Sequence, residues 1–176
     1  MPKRNARLPQ AGVPILPIAL EATMSEITQA VDVGVPVRTA YDQWTQFETF
    51  PKFMEGVKSV RQLDDTTLHW VAEIGGQEKQ WDAKITEQRP DECIAWTSTS
   101  GSHNAGVVTF HRLDEGKSRV TLQLDVEPEG PIETVGDALG LVKHRVKGDM
   151  ERFKEFIEQR GAETGAWRGE VDQSTD

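Results

Sequence analysis

The clearest pattern along the chain is an apolar stripe near its C-terminal end. Between residues 131 and 160 the stripe consists of Ile132, Val135, Leu139, Val142, Val146, Met150, Phe153 and Ile157. This three-and-four spacing predicts one long amphipathic helix with a single buried face. Pro131 suits its first turn and Gly161 its C-terminal cap. Gly136 and Gly140 lie on one flank of the stripe, where a missing side chain lets another backbone or a bound molecule come close.

Ahead of this helix the pattern predicts mainly strands. A first strand at 27–33 precedes a short helix at 37–44, and residues 47–54 form a second short helical or irregular piece. Six further strands follow at about 57–63, 67–74, 78–88, 93–100, 105–113 and 118–127, separated by turn sequences. Strands and helices do not alternate, so the order predicts an α+β fold with an antiparallel sheet and the helices on one face.

The middle of the chain contains a strong hairpin signal. If Gly75 and Gly76 are the two central residues of a tight turn, the strand register places Trp70 directly opposite Trp81. We therefore expect both rings to lie on the same face of the sheet, towards the long helix. An apolar sheet face closed by one helix either fills its interior with side chains or leaves a hollow.

Composition and charge exclude several classes of function. The formal net charge of −9 argues against nucleic acid or an anionic membrane surface as the main partner. No apolar run approaches the roughly 18 residues that a membrane-spanning helix needs. Cys93 is the single cysteine, so an internal disulfide is impossible and a reducing cytoplasm is the expected location.

The two ends of the chain differ in character from its body. Residues 1–24 are basic and then apolar, but Pro9, Pro14 and Pro17 interrupt the apolar part, which argues against a secretory signal. We expect 1–24 to be a disordered extension. Residues 161–176 are polar and acidic, and we expect a disordered tail there as well. One domain from 25 to 160 lies between them.

Residues 25–160 carry a family resemblance. The stretches ITQAVDVGVPVRTAYDQWTQFETFPKFM, HWVAEIGGQEKQWDAKITEQRPDECIAWTSTSG, NAGVVTFHRL and SRVTLQLDVEPEG, followed by the long helix, resemble the START-like proteins of the SRPBCC superfamily, the polyketide cyclase/dehydrase and coenzyme Q-binding relatives. The resemblance implies the Bet v 1-like helix-grip fold. In that fold a seven-stranded, curved antiparallel sheet wraps around the C-terminal helix, with two short helices after the first strand and an apolar cavity inside.

Carried over by position, the resemblance also implies which residues line that cavity. They are Trp70, Trp81, Ala83, Phe110 and Leu122 on the sheet, Phe50, Phe53 and Met54 near the mouth, and Val135, Gly136, Leu139, Gly140, Val142 and Lys143 on the helix. Lys143 either extends to solvent or contacts an anionic or carbonyl group of a ligand. Phe110 faces inward if the last hairpin contains a bulge, whereas a four-residue loop would turn His111 inward instead.

The search for catalytic chemistry is mostly negative. The sequence has no H-E-x-x-H motif, Cys/His cluster, glycine-rich phosphate loop or nucleophile elbow, so we expect no metal and no cofactor. The sequence favours non-catalytic binding or carriage of a small hydrophobic molecule such as a lipid, quinone or polyketide-like aromatic. One alternative is a cyclase or dehydratase that uses His111 or Tyr41 in the same cavity. A weaker alternative is a protein-interaction module.

Overall fold

The computed structural model describes residues 25–127 and 132–172, which form one antiparallel sheet and two α-helices. The strands are β1 (Ser25–Val33), β2 (Val57–Gln62), β3 (Thr67–Ile74), β4 (Gln77–Arg89), β5 (Cys93–Gly101), β6 (Asn104–Asp114) and β7 (Lys117–Val126). The helices are α1 (Val37–Trp44), a 3₁₀ helix (Phe47–Lys52) and the long α2 (Ile132–Arg160). This is the helix-grip architecture, and the predicted fold class is confirmed.

The seven strands follow the order β1-β7-β6-β5-β4-β3-β2, and all neighbours are antiparallel. Gly75 and Gly76 both have positive φ angles, which a two-residue hairpin turn requires and which glycine adopts without strain. Trp70 therefore pairs with Trp81, and the predicted register is confirmed. Register shifts in β4 accompany the curvature that lets the sheet wrap around α2.

The C-terminal half of α2 closes the apolar face of the sheet. Its stripe residues Val146, Met150, Phe153 and Ile157 are all buried, with Phe153 and Ile157 fully so. Phe153 packs edge-on against Trp44 of α1 at a ring-centroid distance of 4.9 Å. The 3.6-residue period of the sequence therefore reports the packing of this half of the helix correctly.

The segment after α2 differs from the expectation of a disordered tail. Residues 161–172 run back over α1, and Val171 forms a two-bond antiparallel bridge with Gln88 of β4 (2.8 and 3.0 Å). Gln43 exchanges two hydrogen bonds with Thr164. Polar composition suggested disorder, but these polar groups have partners in the fold that lie more than a hundred residues away.

The buried carboxylate of Asp42 explains why this segment is held in place. Arg168 donates a hydrogen bond to Asp42 at 2.6 Å, and its second terminal nitrogen lies 2.9 Å from Asp91. Burial raises the pKa of Asp42, while the bond from Arg168 opposes that rise. We refer to residues 161–172 as the C-terminal strap, because they join α1 to the end of β4.

Some expectations lie outside the described residues. They concern the extension 1–24, the last residues of the tail at 173–176, and Pro131. The backbone of α2 begins at Ile132, but the side chains of 132–138, and hence those of Val135 and the flank at Gly136, are not described. Within residues 25–127 and 132–172, no helix combines the length and the hydropathy needed to cross a membrane.

Candidate functional site

A cavity of about 650 Å³ lies between the sheet and α2. Every strand except β1 contributes to its wall, together with the end of α1, the 3₁₀ helix and the cavity-facing side of α2. The wall is predominantly apolar. The volume of the cavity falls within the range of about 300–1,000 Å³ that is typical of small-molecule sites.

Strand β3 shows how the sheet lines the cavity. Leu68, Trp70, Ala72 and Ile74 alternate along this strand and all four border the cavity. Across the hairpin, the Trp81 ring stacks on the Trp70 ring at a centroid distance of 5.7 Å and an interplanar angle of 8°. The period-two pattern and the tight turn together build a flat aromatic patch on the wall.

A second feature of the wall is a tryptophan fixed by a glycine. Trp96 of β5 lies across Gly106 of β6, where an added Cβ atom would come within 2.8 Å of the Trp96 ring. The absence of a side chain at 106 therefore makes room for the indole. The Trp96 Nε1–H then donates to Asn104 Oδ1 at 3.1 Å, and both residues border the cavity.

Buried aromatic side chains form another part of the cavity wall. Trp44, Phe47 and Phe50 border the cavity, and the Phe50 ring contacts the Trp44 ring and the Trp70 ring at centroid distances of 5.4 and 5.8 Å. These rings lie on α1 and on the 3₁₀ helix, the two short elements that follow β1.

The helix contributes two charged residues to the wall. Arg145 donates to the backbone carbonyl of Glu73 at 2.6 Å. Asp149 Oδ1 accepts a hydrogen bond from the Glu55 backbone N–H at 2.9 Å and another from Arg152. Burial raises the pKa of Asp149, and these two donors oppose the rise. Both residues therefore tie the edge of the cavity to α2.

Seven of the residues that the sequence proposes for the cavity border it. They are Phe50, Met54, Trp70, Trp81, Leu122, Leu139 and Val142. Three others, Phe53, Ala83 and Phe110, lie in the buried core beyond the cavity, at 2%, 0% and 4% exposure. These three side chains point inward as expected, but they belong to the packed hydrophobic core and not to the cavity wall.

Gly140 and Lys143 also differ from the expectation. Both are exposed and border a separate surface depression beside Glu26 and Ile27 of β1. A Cβ atom at Gly140 would meet nothing within 4 Å, so this glycine does not thin the cavity wall. The position on a helical wheel gives the direction of a side chain but not how near the next element lies.

Sequence reasoning did not propose several residues that border the cavity. Trp96, Asn104 and Arg145 are the ones that organise its polar groups. Gly106 was an available signal for Trp96, because a glycine inside a strand often marks the close approach of another group. No sequence signal identified Asn104, which follows the turn at Ser102 and His103.

The two residues considered for acid–base catalysis do not reach the cavity. A register shift between Arg112 and Asp114 turns Phe110 inward and leaves His111 exposed. Tyr41 is fully buried in the core, where its hydroxyl accepts a hydrogen bond from Gln88 Nε2 at 3.1 Å. Burial is the main cause that raises the pKa of Tyr41 to about 12. Neither side chain is placed to exchange a proton with a molecule in the cavity.

The burial of Tyr41 gives a spectroscopic prediction, because it is the chain's single tyrosine. We expect phenolate absorbance at about 295 nm to appear with a midpoint at about pH 12, compared with an ordinary pKa of about 10. The stabilisation linked to the protonated phenol is complete below about pH 10 and is lost as the pH rises towards 12. Circular dichroism at each pH separates titration from unfolding, and a midpoint near 10 in folded protein would contradict the burial.

A metal site is not formed by the described residues. Within 25–127 and 132–172, no group of three or more His, Cys, Asp or Glu side chains is placed to hold an ion. The buried Cys93 is the only cysteine of the chain.

Comparisons with known proteins agree with this geometry. The sequence profile of a family described as polyketide cyclase / dehydrase and lipid transport matches residues 33–155. A 17.2 kDa protein of Streptomyces lincolnensis, described as uncharacterized, is 58% identical over 149 residues, which cover 84% of this chain and 99% of that protein.

Solved structures show the same fold. A Deinococcus radiodurans protein has a TM-score of 0.61 and 25% identity, covering 77% of this chain and 99% of its own. The Zhui aromatase/cyclase of a Streptomyces species has a TM-score of 0.67 and 15% identity, covering 82% of this chain and 99% of its own. At 15% identity the second similarity concerns the fold alone.

Proposed function

The chain belongs to the polyketide cyclase / dehydrase and lipid transport family, and we propose that it binds a small hydrophobic molecule without transforming it. The family implies binding of a hydrophobic ligand. Our proposal adds that the ligand is a lipid, quinone or aromatic polyketide held in the cavity between the sheet and α2, and that the protein carries or senses it. The observation that carries the proposal is the apolar cavity of about 650 Å³.

The walls of the cavity support binding through apolar contact. Trp44, Trp70, Trp81 and Trp96 all border it, and large aromatic side chains give extensive contact area in small-molecule sites. A side-chain-filled interior would have favoured a protein-interaction module, in which only the outer surface is used. The open volume argues for an internal ligand instead.

The placement of the two residues considered for acid–base catalysis supports a non-catalytic role. His111 lies on the outer surface, and Tyr41 lies in the core with a pKa of about 12. General acid–base catalysis requires a titratable group within hydrogen-bond reach of the reacting atoms. Neither of these two side chains meets that condition.

One observation favours a cyclase or dehydratase as the second candidate. Asp149 borders the cavity, and burial raises the pKa of its carboxyl group. A carboxylic acid in an apolar site is a common general acid. The bonds from the Glu55 N–H and from Arg152 give Asp149 a structural role, so we favour carriage.

The proposal is tested by isolating the protein under native conditions and identifying what accompanies it. We expect native mass spectrometry to show one small molecule per chain, and we expect organic extraction to release an apolar compound. If the protein is isolated without a ligand, the same assay measures its binding to a panel of quinones and fatty acids. The absence both of a co-purifying compound and of binding to the panel would contradict the proposal.

A further inference from the structure

Three tryptophans of the cavity wall differ in how their indole N–H groups are paired. An indole ring supplies one N–H donor and no acceptor, and Trp70, Trp81 and Trp96 all belong to the wall. The N–H of Trp96 is bound by Asn104, whereas the N–H groups of Trp70 and Trp81 are buried without a partner among the described residues. Buried donors without partners are costly, so the two indole N–H groups are unusual features of this wall.

The bond from Trp96 determines the orientation of the Asn104 amide. Since an indole N–H can only donate, the oxygen of the amide must face Trp96, and the NH₂ group takes the other position. The backbone N–H of Asn104 donates to Ser98 Oγ at 3.1 Å, which fixes the start of β6. The Asn104 NH₂ group donates no hydrogen bond within the described part of the chain. Within the described residues, Asn104 thus brings two N–H donors without a partner to a half-buried position at the cavity.

Other polar groups also border the cavity. Arg145 donates to the Glu73 carbonyl, and Asp149 accepts from the Glu55 N–H and from Arg152. His103, next to Asn104, is exposed at the edge. Asn104 stands out because its amide is half-buried and is oriented by the bond from a cavity tryptophan.

From this arrangement we infer that Asn104, oriented by Trp96, is a specificity-determining residue that donates a hydrogen bond to an acceptor oxygen of the ligand. The ligand class is then an oxygenated aromatic, such as a ketone or quinone, and not a plain hydrocarbon of the same shape. The inference rests on the proposed function, because it concerns the occupant of the same cavity. The bound oxygen accepts from the Asn104 NH₂ group, and an analogue without that oxygen leaves the donor unpaired.

The test compares two probes of nearly identical shape, 9-fluorenone and fluorene, which differ by one carbonyl oxygen. We expect the wild-type protein to bind fluorenone about fivefold more tightly in equilibrium dialysis, the difference that one net hydrogen bond gives. Fluorene is the less well hydrated of the two. A cavity that recognises apolar surface alone would therefore bind fluorene at least as tightly as fluorenone.

A single substitution separates the amide donors from the rest of the site. Asn104→Asp retains an oxygen acceptor for Trp96 and removes both N–H donors, so we expect it to abolish the preference for fluorenone. Gln123→Glu makes the same amide-to-carboxylate change at an exposed position of β7 away from the cavity, and it should retain the preference.

Each outcome gives a definite answer. Equal binding of the two probes by the wild-type protein, or tighter binding of fluorene, overturns the inference while leaving the proposed function intact. A preference that persists in Asn104→Asp overturns the role of the amide. Failure of both probes to bind at any concentration overturns this inference, because no aromatic ketone then enters the cavity. The wild-type comparison needs no variant, so it holds even where Asn104→Asp is poorly folded.

Discussion

Val142→Trp is expected to weaken the binding of an aromatic ligand more than tenfold, because the larger side chain occupies the cavity in place of the ligand. Val142 lies on the cavity side of α2 and is half-buried. Isothermal titration with the co-purified compound or with fluorenone measures the loss. The open volume should accept the indole, so thermal denaturation should show a small change in melting temperature.

The matched control is Gly140→Trp, two residues earlier on the same helix. It adds the same side chain at an exposed position where a Cβ atom meets nothing within 4 Å, so binding should stay close to wild type. Loss of binding in both variants would show that the helix itself was disturbed. Unchanged affinity in Val142→Trp would place the ligand elsewhere on the protein.

Arg168→Ala is expected to destabilise the protein by about 3 kcal/mol, because it leaves the buried carboxylate of Asp42 without its main cation. The Asp42 side chain is only 2% exposed, and Arg38 at 3.6 Å is a weaker partner that solvent screens. Removing Arg168 also releases Asp91 and with it the C-terminal strap. Urea denaturation followed by tryptophan fluorescence measures the change in unfolding free energy.

The pH dependence of this loss follows from the charge of Asp42. Burial already raises the pKa of Asp42, and removing Arg168 eliminates the interaction that lowers it. A raised pKa in the folded state stabilises the protein at low pH, and that contribution is lost as the pH rises. The loss of unfolding free energy in Arg168→Ala should therefore be smaller at about pH 4 than at about pH 8. A deficit that does not depend on pH would contradict the ion-pair explanation.

Arg112→Ala supplies the control for a surface arginine. Arg112 is exposed on β6, so its loss should change the unfolding free energy by less than about 0.5 kcal/mol. Arg168→Lys keeps the positive charge but not the forked geometry that reaches Asp42 and Asp91 together, and it should give an intermediate loss.

The sequence was informative where local geometry determines the outcome. The Gly75–Gly76 turn fixes the pairing of Trp70 with Trp81, because a two-residue hairpin allows one register. The stripe on α2 identifies the buried face of its C-terminal half for the same reason, since side-chain direction follows from the helical period. The direction of a side chain is thus encoded within a few residues of it.

The local sequence did not predict how deeply a side chain is buried or which distant residue it contacts. Trp81 and Ala83 both face inward, yet only Trp81 borders the cavity, whereas Ala83 is fully buried in the hydrophobic core. The contact between Arg168 and Asp42 joins residues 126 positions apart, so local composition suggested disorder where the fold supplies a partner. Asn104 was missed for a similar reason, since its orientation depends on Trp96 of the neighbouring strand.

The most direct test of the central claim follows the fate of the ligand. The protein is incubated with its co-purified compound, or with a quinone that it binds, and both the bound and the free pools are extracted and analysed by mass spectrometry over time. The proposed function predicts one ligand bound per chain and quantitative recovery of the unchanged compound at every time. Accumulation of a cyclised or dehydrated product that Asp149→Asn abolishes would contradict it and identify the protein as an enzyme.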